Sequence, residues 1–153
     1  MDIAARALGR TERELLAQAR FFAGMDGARL GRIAALGRVE SYPSDTRIYT
    51  VGDEVDDFYV LLDGTVRFTL GLGKRETSAG ELIRQGQVFG WAALMESYSR
   101  RIATAYCLTP CEVVAIDGSE LRALMESDHT AGFVLMKQLA ALLTSELTAF
   151  AAG

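Results

Sequence analysis

The sequence predicts an α+β domain, an antiparallel β jelly-roll with helices before it and a long helix after it. Three observations predict this class. Apolar residues recur at helical spacing at both ends of the chain. Short β-rich segments, broken by Gly, Pro and Asp turns about 8–12 residues apart, fill the middle. Half of the 153 residues are hydrophobic, which is enough for one core and no more. The chain is therefore read as a single domain, 1–153, with N-terminal helices over 1–36, a β-roll over 37–117 and C-terminal helices over 118–153.

At the N-terminal end, Thr11-Glu12-Arg13-Glu14 has the form of a capping box, and Leu15, Leu16 and Ala19 follow on one face, so a helix is expected from Thr11 to Phe22. Leu30, Ile33, Ala34 and Leu36 predict a second helix over Ala28–Leu36, stopped by Gly37. From Val39 to Ile116 the pattern is that of about eight short strands. The clearest expected hairpin joins Phe58–Leu62 to Thr65–Leu70 through Asp63-Gly64, a pair that readily supplies positive φ angles. Gly71-Leu72-Gly73-Lys74 reads as the next turn; it lacks the further glycine and the following helix of a dinucleotide fingerprint.

After Ile116 the helical period returns. Gly118-Ser119-Glu120 opens a short helix, and Thr130 is expected to cap a long one reaching Phe150. On the long helix Leu135, Leu139, Leu142, Glu146 and Ala149 fall at heptad spacing, with Phe133, Leu143, Leu147 and Phe150 beside them. Two readings follow. The stripe, Leu135, Leu139, Leu142, Leu143, Glu146 and Leu147 above all, forms a homodimer seam, which is the preferred reading; or the helix packs back on its own β-roll.

Composition narrows the function. A net charge of −4 argues against a surface built for direct DNA binding or for anionic lipid. There is no apolar run of about 18 residues and no signal-peptide core at the N-terminus, so no membrane span is expected and the cytoplasm is the expected location. Cys107 and Cys111 flank Pro110 without metal-ligand spacing, and are read as buried thiols in a reducing compartment. His129 has no second ligand spaced to join it, and Asp56-Asp57 and Glu12/Glu14 are read as solvated charges. No nucleophile with a base and an orienting group is discernible, so no enzyme and no cofactor is expected.

The stretch Val88–Ala105, VFGWAALMESYSRRIATA, carries the candidate chemistry. It reads as a glycine turn, one turn of helix over Gly90–Leu94, a polar loop with two arginines, and a strand opening on small residues. A helix start presents unpaired N–H groups to an anion, and an arginine from the next strand would complete the site with a planar two-pronged donor. Strand alternation puts Arg101, Ala103 and Ala105 on one face and Arg100, Ile102 and Thr104 on the other. The alanine face leaves room for a ligand, which selects Arg101; the alternative is that Arg101 pairs with a loop carboxylate.

Gly52-Asp53, Leu62-Asp63-Gly64, Gly86-Gln87-Val88-Phe89-Gly90, Ala93-Leu94, Arg101-Ile102-Ala103-Thr104 and Cys111-Glu112-Val113 together resemble the landmarks of the cyclic nucleotide-binding domain, as found in the effector domain of catabolite-activator-type regulators. The resemblance covers about Phe22 to Phe150. It implies a phosphate cassette over 88–105 containing Phe89, Gly90, Trp91, Ala92, Arg101, Ile102 and Ala103. In that family the cassette reads Phe-Gly-Glu, then Ala-Leu, then Arg-Ser/Thr-Ala; the glutamate takes the ribose hydroxyl and the arginine the cyclic phosphate. Trp91 stands where the glutamate belongs, and Ile102 where the hydroxyl residue belongs.

Losing a hydrogen bond to a charged group costs about 1.5–3 kcal/mol, or roughly 10- to 150-fold in affinity. The base-contacting hydroxyls of the family fall at Glu146 and Leu147, while Thr144 and Ser145 lie two residues early. Trp91 is either a core-edge aromatic in a degenerate site, or a ring that stacks on Arg101 and plugs the pocket or offers a face to a different ligand. In both cases a less acidic pocket is expected, one suited to a plain anion or carboxylate. The resemblance places a DNA-binding helix-turn-helix after the long helix in transcription factors; here the sequence ends at Ala151-Ala152-Gly153. These features predict an effector-binding regulatory module with weak or no cyclic nucleotide binding. The alternatives are true cyclic AMP or GMP binding and a ligand-free module that docks a protein through the long helix.

Overall fold

The computed structural model describes residues 4–71, 73–97 and 99–152, with the backbone alone for 147–152. The elements run β1 (Ala5–Ala7), α1 (Arg10–Gln18), a 3-10 turn (Arg20–Phe22), α2 (Gly27–Leu36), β2 (Gly37–Tyr42), β3 (Arg47–Tyr49), β4 (Asp57–Asp63), β5 (Val66–Leu70), β6 (Thr77–Ile83), β7 (Val88–Phe89), β8 (Thr104–Cys107), β9 (Cys111–Asp117), α3 (Gly118–Ser127) and α4 (His129–Ala152), with short 3-10 turns at Gly73–Arg75 and Trp91–Leu94. The strands form two antiparallel sheets ordered β1-β2-β9-β4-β7 and β3-β8-β5-β6. This is the expected jelly-roll flanked by helices.

Strands β4 and β9 explain the layering. Their side chains alternate between two cores, as the period of two requires. Phe58, Val60 and Leu62, with Val114 and Ile116, face the helices and meet Leu16, Phe22, Ile33, Leu121 and Leu135. Tyr59 and Leu61, with Val113 and Ala115, face the opposite sheet and meet Val66, Ile83, Phe89 and Cys107. Both strands are buried on both faces, so helices must cover one side and a second sheet the other.

That double burial overturns the expected hairpin. β4 pairs with β9 and β7, and β5 with β6 and β8, so Asp63-Gly64 carries the chain from one sheet to the other. Gly64 has φ +98°, and a Cβ there would collide with the Pro110 carbonyl oxygen. The turn between β8 and β9 crosses at the same corner: Leu108 N–H donates to Thr65 O at 3.0 Å, and Thr65 N–H to Thr109 Oγ1 at 3.0 Å. Two crossings are thus bonded to each other at a corner where a side chain on Gly64 does not fit. Cys107 and Cys111 lie buried and unbridged beside this corner, and burial pushes the Cys107 thiol up to about 12.

Several expected caps move. The first helix begins at Arg10 and ends at Gln18, and the residue that caps it is Glu12, whose carboxylate accepts from Gly9 N–H at 3.0 Å. Glu12 is buried and pairs with Arg6, so it is not a solvated charge; Glu14 is exposed beside Arg10. Gly37 ends α2 in extended backbone as the first residue of β2. Aspartates cap the other helices: Asp26 Oδ1 accepts from Arg29 N–H at 2.8 Å, Asp117 Oδ1 from Glu120 N–H at 3.0 Å and Asp128 Oδ1 from Ala131 N–H at 3.2 Å. Asp128, not Thr130, therefore opens the long helix. Its carboxylate also accepts from Arg29 Nε at 2.9 Å, which ties α2 to α4.

Burial takes Leu135 and Leu139 out of the expected seam of α4. Leu135 is 0% and Leu139 3% exposed, both packed on the chain's own core, and Leu142 and Leu143 pack partly against the same cluster. Helix α4 lies over the β-roll because the helix-facing side of β4 and β9 has to be covered. Leu147, Ala149 and Phe150 fall outside the described side chains. Among the described residues no helix is long and apolar enough to cross a membrane.

Gly64→Ala, strained in φ and in space, is expected to lower stability by at least about 1–3 kcal/mol, read as a fall in the urea midpoint. The capping aspartates give a pH test. Asp26 and Asp128, through backbone N–H groups first, and Asp117, through Ser119 and then Glu120, are held below the ordinary carboxyl range. Their stabilisation is present above about pH 4 and is lost as pH falls towards the lowered values. Asp117→Ala is expected to cost about 1 kcal/mol at pH 7 and to narrow the gap between urea midpoints at pH 7 and pH 3.

Candidate functional site

The site is built where the chain leaves β7. Gly90 sits at φ +74°, and a Cβ on it would lie 3.0 Å from Tyr59 Cδ2, 3.2 Å from Arg101 Nη1 and 3.2 Å from Asp57 O. Only glycine lets the backbone pass there. The chain then makes the 3-10 turn Trp91–Leu94, closed by Ala93 N–H donating to Gly90 O at 3.2 Å.

The return segment is not yet strand at Arg101. Gly52 N–H donates to Arg101 O at 2.9 Å, Arg101 N–H to Asp53 O at 2.8 Å and Val55 N–H to Ser99 O at 3.1 Å, so the Gly52–Val55 loop holds this backbone and β8 starts only at Thr104. The arginines nonetheless separate: Arg101 is 3% exposed and Arg100 is exposed.

Arg101 is occupied by its own chain. Nη1 donates to Gly90 O at 3.3 Å, and Nη2 to Asp57 O at 2.6 Å and to Asp56 Oδ1 at 3.2 Å. The guanidinium lies 4.1 Å over the Tyr49 ring and 6.0 Å from that of Tyr59, so the ring beneath it is Tyr49 and not Trp91. Nε is buried with no hydrogen-bond partner among the described residues. Asp57, read from sequence as solvated, is buried; its carboxylate pairs with Arg38, which also donates to Glu40 Oε2 at 2.8 Å. Burial raises the Asp57 carboxyl even so. The Arg38–Asp57 pair fixes the carbonyl that receives Arg101.

A cavity of about 630 Å³ opens in front of this wall, within the usual size range of small-molecule sites. Of the cassette residues, Gly90, Trp91, Ala92, Arg101, Ile102 and Ala103 line it. Phe89 lies behind, buried and stacked on Tyr59 at 4.9 Å between centroids. Ile102 is 54% exposed, and Leu70 and Leu82 are exposed beside it; all three line the cavity. Leu142, Ser145 and Glu146 close it from α4.

Glu146 adds a carboxylate to the cavity wall. Burial raises its carboxyl, and a hydrogen bond from Trp91 opposes that rise; the donor is the indole N–H, the one donor on that side chain. The side chain at position 91 thus bonds a carboxylate that comes from the C-terminal helix. Sequence reasoning missed Tyr49, Glu81 and Leu142 as lining residues, because they come from β3, β6 and α4, far from the cassette in sequence. One signal was available for Tyr59: a phenol alternating with Leu61 on an otherwise apolar strand asks for polar neighbours, and Asp56, Asp57 and Arg101 are among them.

Comparison with known proteins gives the family and the fold. The family model for the cyclic nucleotide-binding domain matches residues 39–128. Among curated proteins, the cAMP-dependent protein kinase regulatory subunit of Candida albicans is 38% identical over 93 residues, 61% of this chain and 19% of that protein. The cAMP-activated global transcriptional regulator of Pasteurella multocida is 27% identical over 102 residues, 67% of this chain and 49% of that protein. The chain therefore spans about half or less of these relatives. Among solved structures, a protein from Geobacter metallireducens proposed to bind cyclic nucleotides matches with TM-score 0.78 and 27% identity, over 92% of this chain and 99% of that one. The catabolite activator protein of Thermus thermophilus matches with TM-score 0.70 and 25% identity, over 84% and 58%.

Arg101→Ala removes a buried cation from three acceptors and is expected to cost about 1.5–3 kcal/mol. Asp56→Asn, at an exposed carboxylate, should cost less than about 1 kcal/mol. Urea unfolding of both variants beside the native protein checks the contrast; equal losses would mean that the ion pair, not the carbonyl acceptors, holds the arginine.

Proposed function

The chain belongs to the cyclic nucleotide-binding domain family, and from that premise we propose that it is a non-enzymatic effector-binding regulatory module whose modified cassette binds cyclic nucleotides weakly or not at all. The observation that carries this reading is the state of Arg101. In a phosphate site the guanidinium offers a free two-pronged edge; here both Nη groups donate to Gly90, Asp56 and Asp57, which leaves Nε without a partner among the described residues. A phosphate would have to displace those bonds. It would also meet Trp91 in place of a ribose acceptor and Glu146 across the cavity. Each lost bond to a charged group weakens binding roughly 10- to 150-fold.

Calorimetry with cyclic AMP and cyclic GMP tests this on the native protein, on Arg101→Ala and on the double variant Trp91→Glu, Glu146→Gln. The double variant restores the family's glutamate without setting two carboxylates side by side. Native protein is expected to bind with Kd above about 100 μM, and the double variant at least about 10-fold more tightly. Micromolar binding by the native protein that is lost in Arg101→Ala would overturn the reading.

A second reading, an interaction module that works through α4, is favoured by Phe133, which is 70% exposed next to exposed Met136. Homodimerisation through α4 would use this outward side, since Leu135 and Leu139 are spent on the core. Light scattering at tens of micromolar should then give a dimer mass for the native protein and a monomer mass for Phe133→Ser. A monomer in both cases removes the homodimer.

A further inference from the structure

The cavity in front of the cassette has a charge pattern that its arginine alone does not suggest. Arg101 has Asp56, an exposed carboxylate, as its counter-ion at 3.2 Å, and its Nη groups also donate to the Gly90 and Asp57 carbonyls. Two carboxylates, Glu81 and Glu146, line the same cavity. Glu146 is half-buried on α4, and no lysine or arginine pairs with it among the described residues; a carboxylate held out of water in this way asks for a cation. It lines the same cavity as Tyr49, the residue beneath Arg101. The remaining lining is apolar and aromatic, including Phe68, Leu70, Leu82, Trp91 and Ile102. Three of these side chains, Leu70, Leu82 and Ile102, are exposed, an arrangement that covering by an apolar ligand would relieve.

On the premise that this cavity is the effector site, we infer that it takes an amphipathic cation: an apolar or aromatic body in the Phe68–Leu82–Ile102 part of the cavity, with an ammonium group donating to Glu146. The indole ring of Trp91, already bonded to that carboxylate, holds it in place, and its face adds attraction for the cation. An anion of the same shape meets two carboxylates and an arginine that is already paired.

Trp91 is the sole tryptophan of the chain, so its fluorescence reports directly on the cavity. The native protein and Glu146→Gln are titrated at neutral pH with 4-phenylbutylammonium and with 4-phenylbutyrate, close in shape and opposite in charge, and calorimetry confirms each binding curve. Expected is binding of the ammonium at least about 10-fold tighter than of the carboxylate, weakened about 10-fold or more in Glu146→Gln. Glu54→Gln, an exposed acid outside the cavity, should leave the curve unchanged. Equal or tighter binding of 4-phenylbutyrate overturns the cation assignment and leaves the effector-site reading standing. Ammonium binding that is indifferent to Glu146→Gln overturns it as well. No binding of either probe also overturns it, and the effector-site reading is then decided separately by whether Trp91→Glu, Glu146→Gln gains cyclic nucleotide binding.

Discussion

The rest of the structure depends on the burial of β4 and β9 on both faces. A strand with one wet face can sit at the surface of a two-layer domain; Phe58–Leu62 and Val113–Ile116 have none. Each large side chain taken from water contributes roughly 1.5–3 kcal/mol, so both faces must be covered for that gain to be realised. Helices α1 to α4 cover one face and the second sheet the other. The order of the strands, the crossings at Gly64 and Pro110, and the position of α4 across the β-roll all follow from supplying those two covers with one short chain.

The site inherits its geometry from the same arrangement. Tyr59 and Phe89 belong to the core between the sheets, and Tyr49 stacks on Tyr59 at 6.0 Å between centroids, so Arg101 rests on a ring that the core holds rigid. Asp57 stands at the start of β4, where Arg38 of β2 reaches its carboxylate. The carbonyl that receives Arg101 is therefore a product of strand packing. An arginine placed this firmly serves the fold first. Its neighbours then decide the character of the cavity: Trp91 and Ile102 make it apolar, and α4 returns a carboxylate to it.

Much of the fold was legible because it is written in local periodicity. Alternation in β4, helical spacing in α2 and α4, and glycine at Gly86 and Gly90 are short-range signals. The failures have a common origin. Asp63-Gly64 carries the composition of a hairpin turn, but whether the next strand folds back beside β4 or crosses to the other sheet depends on what already flanks β4. The capping box at Thr11 and the heptad stripe on α4 were equally sound as patterns, and each lost to a competing contact, Glu12 with Gly9 and Leu135 with the core. Asp57 read as a solvated charge because its partner, Arg38, lies 19 residues away.

By itself the sequence determined the class of fold, the family and which of the two neighbouring arginines is buried, all of which rest on the spacing of neighbouring residues and on glycines that tolerate positive φ. Only the tertiary structure decided what Arg101 touches, which side of α4 faces out, and that Glu146 bonds Trp91 from the far end of the chain. Those contacts join residues tens of positions apart, and their partners are chosen by the way two sheets and four helices close around β4 and β9.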